Sequence, residues 1–239
     1  MIIGNGLMAS LFEHYKENPS ILVFASGVSN SKETNDDEFL REFSLLKKSL
    51  HNCPDSLLIY FSTCSIYNDA LNKTPYVKHK LSIEDYIRSN VNSYLIFRVS
   101  NVVGFSGNEN TIINHFVAKI LSNKKLELWQ NAERNIIAAD DVRYIVSTVI
   151  ESYSESKIIN VAVRKSLSVK DILNSVENYL DKEANITYLD KGNQIDIDIQ
   201  DISNYLTEIE QKKGDGLRYF GNLLKTYYSV DEDCDTYPK

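Results

Sequence analysis

Three unbroken apolar runs, Ile21–Ala25, Leu57–Phe61 and Tyr94–Phe97, constrain this chain more than any other feature. A strand that is apolar at every position has no solvent face, so it must lie in a sheet covered on both sides. Parallel strands joined by helices meet that condition. The segments between the runs have helical spacing: a short helix over 7–17, a stripe of Phe39, Leu40, Phe43, Leu46 and Leu50, and a helix over 77–89. Met1–Ile3 adds a minimal strand ahead of them. The expectation is an α/β fold built on a parallel sheet.

After residue 104 the rhythm loosens. The pattern predicts a helix from about 110 to 122, a strand at Leu126–Trp129, a helix from Asp141 to about 152 and a strand at Ile158–Ala162. A helix opened by Ser168, with Asp171 in capping position, and a strand at Ile186–Leu189 follow. This suits a first domain over 1–104 that also receives elements from 136–162. A smaller α/β substrate lobe spans 105–239, and the acidic stretch from 231 is expected to fray.

With 26 Lys+Arg against 33 Asp+Glu and a net charge of −7, the chain is no general nucleic-acid binder, because phosphate neutralisation needs a basic surface. Cys53, Cys64 and Cys234 are odd in number and unrelated in spacing, so neither a disulfide framework nor a zinc site is signalled. His14, His51, His79 and His115 stand apart and predict no metal. No run reaches membrane-spanning length, and no signal segment is evident, so a cytoplasmic chain is expected.

Gly4-Asn5-Gly6-Leu7-Met8-Ala9 is a G-x-G-x-x-A between a strand and a helix. Two glycines there let a turn close and a backbone approach a pyrophosphate, and a small third residue packs helix on strand. A plain strand-to-helix turn would look the same. Tyr76 and Lys80 lie four apart at a helix start, hence on one face, where an ammonium can make a phenol useful in proton transfer. Thr63 ends the Leu57–Phe61 strand at the edge where open α/β sheets bind ligands. The next strand runs into Arg98-Val99-Ser100-Asn101-Val102-Val103-Gly104, and Glu133-Arg134-Asn135-Ile136-Ile137-Ala138-Ala139-Asp140-Asp141-Val142 comes later.

Taken in this order, these segments resemble the extended short-chain dehydrogenase/reductase family, in its epimerase/dehydratase branch acting on nucleotide sugars. Tyr76 and Lys80 fall on its Y-x-x-x-K, 98–104 on its R-x-x-N-V-x-G, and 133–142 on its Arg-Asp-aromatic-Ile segment. The resemblance implies a Rossmann-like fold and Thr63, Tyr76 and Lys80 as catalytic residues. In that reading Thr63 orients the sugar oxygen, Tyr76 is the acid/base, and Lys80 lowers its pKa and holds the nicotinamide ribose. It also implies NAD or NADP against Gly4, Gly6, Leu7, Ala25, Tyr76, Lys80 and Val99. A nucleotide-diphosphate sugar would meet Thr63, Asn101 and Arg134, and the chain would form a homodimer through the helices 39–50 and 77–89. Simpler roles remain for two of these: Asn101 as a turn cap, Arg134 as a partner of Asp140.

Two departures stand out. About forty residues that the family places between the glycine turn and the strand resembling Ile21–Gly27 are missing, and with them the acid that grips the adenosine ribose. The first strand then becomes a sheet edge. A rival alignment makes Ile21–Gly27 the second strand, with Ser29, Ser31 and Lys32 near a 2′-phosphate. The helix at 39–50, which leads straight into the Thr63 strand, favours the first alignment. The second departure is the short link from Thr63 to Tyr76. Where dehydratases of the family carry an Asp–Glu pair, Cys64 and Ser65 stand, which argues against elimination of water. The expected activity is reduction of a keto sugar on a nucleotide diphosphate, as in a bacterial surface-polysaccharide or deoxysugar pathway. An epimerase and a non-catalytic sugar-nucleotide binder without an adenine pocket are the alternatives.

Overall fold

A computed structural model describes residues 1–105 and 111–228; the acidic stretch from 231 lies outside the described residues, as does the predicted start of the helix near 110. The chain forms two units. The first comprises 1–100, 139–161 and 197–202, the second 101–138, 162–196 and 203–239.

The first unit is a five-stranded parallel sheet. In spatial order its strands are β1 (Ile2–Ile3), β2 (Ile21–Phe24), β3 (Leu57–Thr63), β4 (Tyr94–Val99) and the strand Lys157–Val161. Three connecting helices are α1 (Leu7–Leu11), α2 (Asp36–Asn52) and α3 (Pro75–Asn90), and a helix over Ala139–Glu151 precedes the last strand. The apolar runs bury as their composition requires: Leu22, Val23, Phe24, Leu58, Ile59, Tyr60, Ile96 and Phe97 are inaccessible or nearly so.

Alternation along the strands sorts the helices to the two faces. Leu58 and Tyr60 pack with Leu46 of α2 and with Ile83 and Ile87 of α3. On the other face Phe61 stacks on Phe12, just past α1, with ring centroids 5.3 Å apart. The helix expected over 7–17 is in fact α1 followed by a 3₁₀ turn at Glu13–Tyr15. The break falls at Phe12, whose φ of −114° leaves the helical region as its ring turns under the sheet.

The sheet order decides between the two alignments. A true second strand would place β1 inside the sheet, between Ile21–Phe24 and Leu57–Thr63. Instead β1 lies at the edge and pairs with β2 alone, through Ile2 with Val23 and Ile3 with Phe24.

Among its described residues the second unit contains three two-stranded pairings: Asn101–Val103 with Ile136–Ala138, Leu126–Trp129 with Ile186–Leu189, and Glu133–Arg134 with Leu167–Ser168. The helices Ile112–Leu121, Val169–Leu180, Ser203–Lys213 and Gly216–Tyr227 accompany them. Ser168 caps its helix as expected, accepting from the Asp171 N–H at 3.0 Å.

Candidate active site

The glycine turn after β1 is held by steric necessity. Gly4 has φ +127°, and a Cβ there would come within 2.5 Å of the Ala25 carbonyl oxygen at the end of β2. Gly6 is different: it caps α1 in extended conformation, and a Cβ would meet no atom within 4 Å. Ala9 is buried, as close packing of helix on sheet demands. The turn therefore presents open ground above Gly6 and the first N–H groups of α1, beginning with Leu7.

Thr63 ends β3 and is buried. Its Oγ1 caps the following 3₁₀ turn by accepting from the Ser65 N–H at 3.0 Å, and its own O–H finds no acceptor among the described residues. Val99 is its register partner on β4. Between Thr63 and Ser65 the Cys64 thiol donates to the Arg98 carbonyl at 3.0 Å, and burial pushes it up to about 12, so it is a packed thiol rather than a nucleophile. Arg98 itself grips Glu84 of α3, with Nη2 2.6 Å and Nε 3.0 Å from the carboxylate oxygens, and Ser62 donates to the same carboxylate at 2.5 Å.

Thr74 caps α3 and Pro75 opens it, which places Tyr76 and Lys80 one turn apart on its buried face. Tyr76 packs with Val28, Phe39 and Val77, and its hydroxyl makes no hydrogen bond among the described residues. It lies near enough to Tyr60 for the two phenols to act on each other electrostatically. Lys80 is 2% exposed. Its Nζ donates to Glu42 Oε1 at 2.9 Å and to the Tyr60 hydroxyl at 3.2 Å. Gly27 lies directly over it: a Cβ there would come 2.6 Å from Nζ and 2.8 Å from Glu42 Oε1.

Glu42 is the centre of this cluster and lies on α2 among the apolar stripe of Phe39, Phe43 and Leu46, where the sequence analysis singled out no polar residue. It is fully buried, and it also accepts from the Tyr60 hydroxyl at 2.7 Å, the Val28 N–H at 2.7 Å and His79 Nε2 at 3.0 Å. Burial pushes its carboxyl up, but the Lys80 charge and the bonds from His79, Val28 and Tyr60 outweigh that and hold it down at about 2. Tyr60, desolvated and beside this anion, is pushed well up and stays a protonated donor. The structure thus gathers Lys80, Tyr60 and His79 around the Glu42 carboxylate, with Tyr76 close to Tyr60. Among the described residues no hydrogen bond joins Thr63 to Tyr76 or Lys80.

In the second unit Asn101 uses its side-chain amide on the Asn135 carbonyl, at 2.8 Å, so it braces the neighbouring strand. Arg134 donates to the Glu133 carbonyl at 2.7 Å and has no carboxylate partner among the described residues. Asp140 is not its mate; Asp140 pairs with Arg143. Desolvation lowers the Arg134 pKa with nothing opposing it. A desolvated guanidinium with no counter-charge is suited to an anion.

Similarity to known proteins agrees with this architecture. The profile of the NAD dependent epimerase/dehydratase family matches residues 19–162, more than half of the chain. No curated protein sequence matches. Among solved structures, the UDP-glucose 4-epimerase of Thermus thermophilus aligns with TM-score 0.68 at 14% identity, over 95% of this chain and 84% of that one. The dTDP-glucose 4,6-dehydratase of Bacillus anthracis aligns with TM-score 0.66 at 18% identity, over 94% and 79%. The UDP-glucuronic acid 4-epimerase of Bacillus cereus, solved with UDP-glucuronic acid and NAD, aligns with TM-score 0.66 at 17% identity, over 94% and 81%. These likenesses show the fold. The profile match, the parallel sheet and the ordered motifs together make this chain a member of the NAD-dependent epimerase/dehydratase family.

Proposed function

We propose that the protein reduces a keto sugar carried on a nucleotide diphosphate, with NAD(P)H as reductant. The observation that carries this reading is the pair of hydroxyls left undonated, on Thr63 and Tyr76, while Ser62, Tyr60, His79 and Lys80 around them are all bonded. A carbonyl oxygen that met both O–H groups would accept a hydrogen bond from each. The Thr63 hydroxyl orients it, and the Tyr76 proton moves to the oxygen as negative charge develops there. Elimination of water is disfavoured because the Cys64 thiol is buried and bonded where dehydratases of the family use an acid.

The fit to a nicotinamide cofactor is uneven. The Gly4–Gly6 turn, Leu7, Ala25 and Val99 offer a place for its pyrophosphate and nicotinamide end, and the space over Gly6 is open. When bound, the cofactor supplies the hydride for the carbonyl carbon. The adenosine end would find only the edge strand β1, and the Lys80 ammonium expected at the ribose is committed to Glu42. A weakly held cofactor suits a reductase, which exchanges it every turnover, better than an epimerase, which must retain it. Arg134 is proposed to take the substrate diphosphate, with Asn101 bracing its neighbourhood.

Purified protein mixed with NADH or NADPH and a panel of nucleotide keto sugars should consume reduced nicotinamide. Tyr76→Phe should lose activity by about a hundredfold or more at unchanged melting temperature. Epimer exchange with tightly retained NAD would instead make it an epimerase. Sugar-nucleotide binding without any turnover would make it a binding protein.

A further inference from the structure

We infer that Lys80 and Glu42 are positioning residues for the glycine turn: their ion pair anchors the loop after β2, and Lys80 serves the cofactor site through that loop, not by touching the cofactor. The inference rests on the cofactor part of the reductase reading and says how that site is held. The family resemblance implies the opposite arrangement, an ammonium free to bond the nicotinamide ribose.

The ammonium is not free. Lys80 is 2% exposed, and its Nζ donates to Glu42 Oε1 at 2.9 Å and to the Tyr60 hydroxyl at 3.2 Å. The Gly27 backbone lies so close above it that a Cβ there would stand 2.6 Å from Nζ and 2.8 Å from Glu42 Oε1. A ribose hydroxyl approaching from that side would have to displace the loop first. The pair instead holds the loop down. The second oxygen of Glu42 accepts from the Val28 N–H at 2.7 Å, with His79 Nε2 fixing the same oxygen at 3.0 Å. Without the Lys80 charge that carboxylate would be buried and uncompensated, so the anchor at Val28 depends on the lysine.

At its other end the same loop meets the glycine turn. The Ala25 N–H donates to the Ile3 carbonyl at 2.7 Å. A Cβ on Gly4 would come 2.5 Å from the Ala25 carbonyl oxygen and 3.0 Å from the Ser26 nitrogen. Ala25 to Val28 therefore runs from the edge strand to the ion pair with a fixed contact at each end. Among the described residues β1 is short, Ile2–Ile3, and pairs with β2 alone, so this contact carries much of the placement of the turn that follows it.

Amide hydrogen exchange and titration with NADH test this together. The principal variant removes both charges, Glu42→Gln with Lys80→Met, so that no lone charge stays buried. Exchange of its Ala25 amide is expected to rise about tenfold or more over wild type, relative to amides of the β3–β4 ladder. General destabilisation would move both alike, and an unchanged ratio would overturn the inference. NADH affinity is expected to fall about tenfold in the double variant and equally in Glu42→Gln alone, since each loses the anchor. If Lys80 held the ribose directly, Glu42→Gln would release it for that task. Binding as tight as wild type or tighter in Glu42→Gln, with loss in the double variant only, would therefore overturn the inference. Gly27→Ala presses the loop off the pair while keeping both charges, and is read in the same way should Glu42→Gln not fold. A wild type that binds neither NADH nor NADPH would remove the cofactor reading, and the exchange ratio would still decide whether the pair anchors the turn.

Discussion

Gly4 and Gly6 stand two residues apart and answer to different demands. At Gly4 both the left-handed backbone and the Ala25 carbonyl exclude a side chain, so Gly4→Ala should cost about 2 kcal/mol or more in chemical denaturation. At Gly6 neither applies, and Gly6→Ala should stay within about 1 kcal/mol of wild type. The same methyl would occupy the ground a pyrophosphate needs, so cofactor affinity measured by calorimetry should fall about tenfold, roughly 1.4 kcal/mol. Equal stability losses at both positions would mean that the turn is only a turn. Thr63, Tyr76 and Lys80 were singled out by the family resemblance; the partner of Lys80 was not, because Glu42 lies 38 residues away in sequence. One signal was nevertheless present. Glu42 falls three residues after Phe39 and four before Leu46, on the apolar side of its helix, where a carboxylate requires a partner.

At the scale of elements, a single carboxylate ties α2 to α3, to β3 and to the loop after β2. The Glu42 pKa is depressed in the folded chain, to about 2. Its contribution to stability is therefore complete above the ordinary carboxylate range and is lost as pH falls from about 4.5 toward 2. The melting temperature should drop through that window more steeply in wild type than in the Glu42→Gln, Lys80→Met variant; equal slopes would assign acid sensitivity to other groups. Long elements with strong periodicity, such as α2 and α3, are legible in sequence because their buried faces repeat. The helices Ser203–Lys213 and Gly216–Tyr227 were not anticipated. In the first, buried apolar positions are few, Leu206 and Ile209, and both Gly214 and Gly216 at the junction take positive φ, so the pattern breaks where the two helices meet.

For the whole molecule, the parallel sheet was written in three apolar runs, and the loss of the strands that would flank β1 followed from how soon Ile21 comes after the glycine turn. The sheet order bears this out. Among the described residues no strand lies beyond β1 in the sheet, so on the proposed reading the adenosine half of a dinucleotide would have little to bind. Reduced nicotinamide mononucleotide and NADH should therefore bind within about tenfold of each other, roughly 1.4 kcal/mol. A preference for NADH of a thousandfold would reveal an adenosine pocket built from something other than this sheet.

The placement of Phe12 against Phe61, opposite the helices that cover Leu58 and Tyr60, carries a topological consequence. The steps from β1 to β2 and from β2 to β3 go the same way across the sheet, yet their connections pass over opposite sides, so the two crossovers have opposite chirality. Nearly all such crossovers in proteins are right-handed, and excision of an intervening pair of strands is a direct way to produce the exception. The opening excursion then behaves as a graft on an otherwise regular winding. Hydrogen exchange should find it detaching first, at the Val23 and Ala25 amides that bond to Met1 and Ile3, while the ladder from β3 onward stays closed.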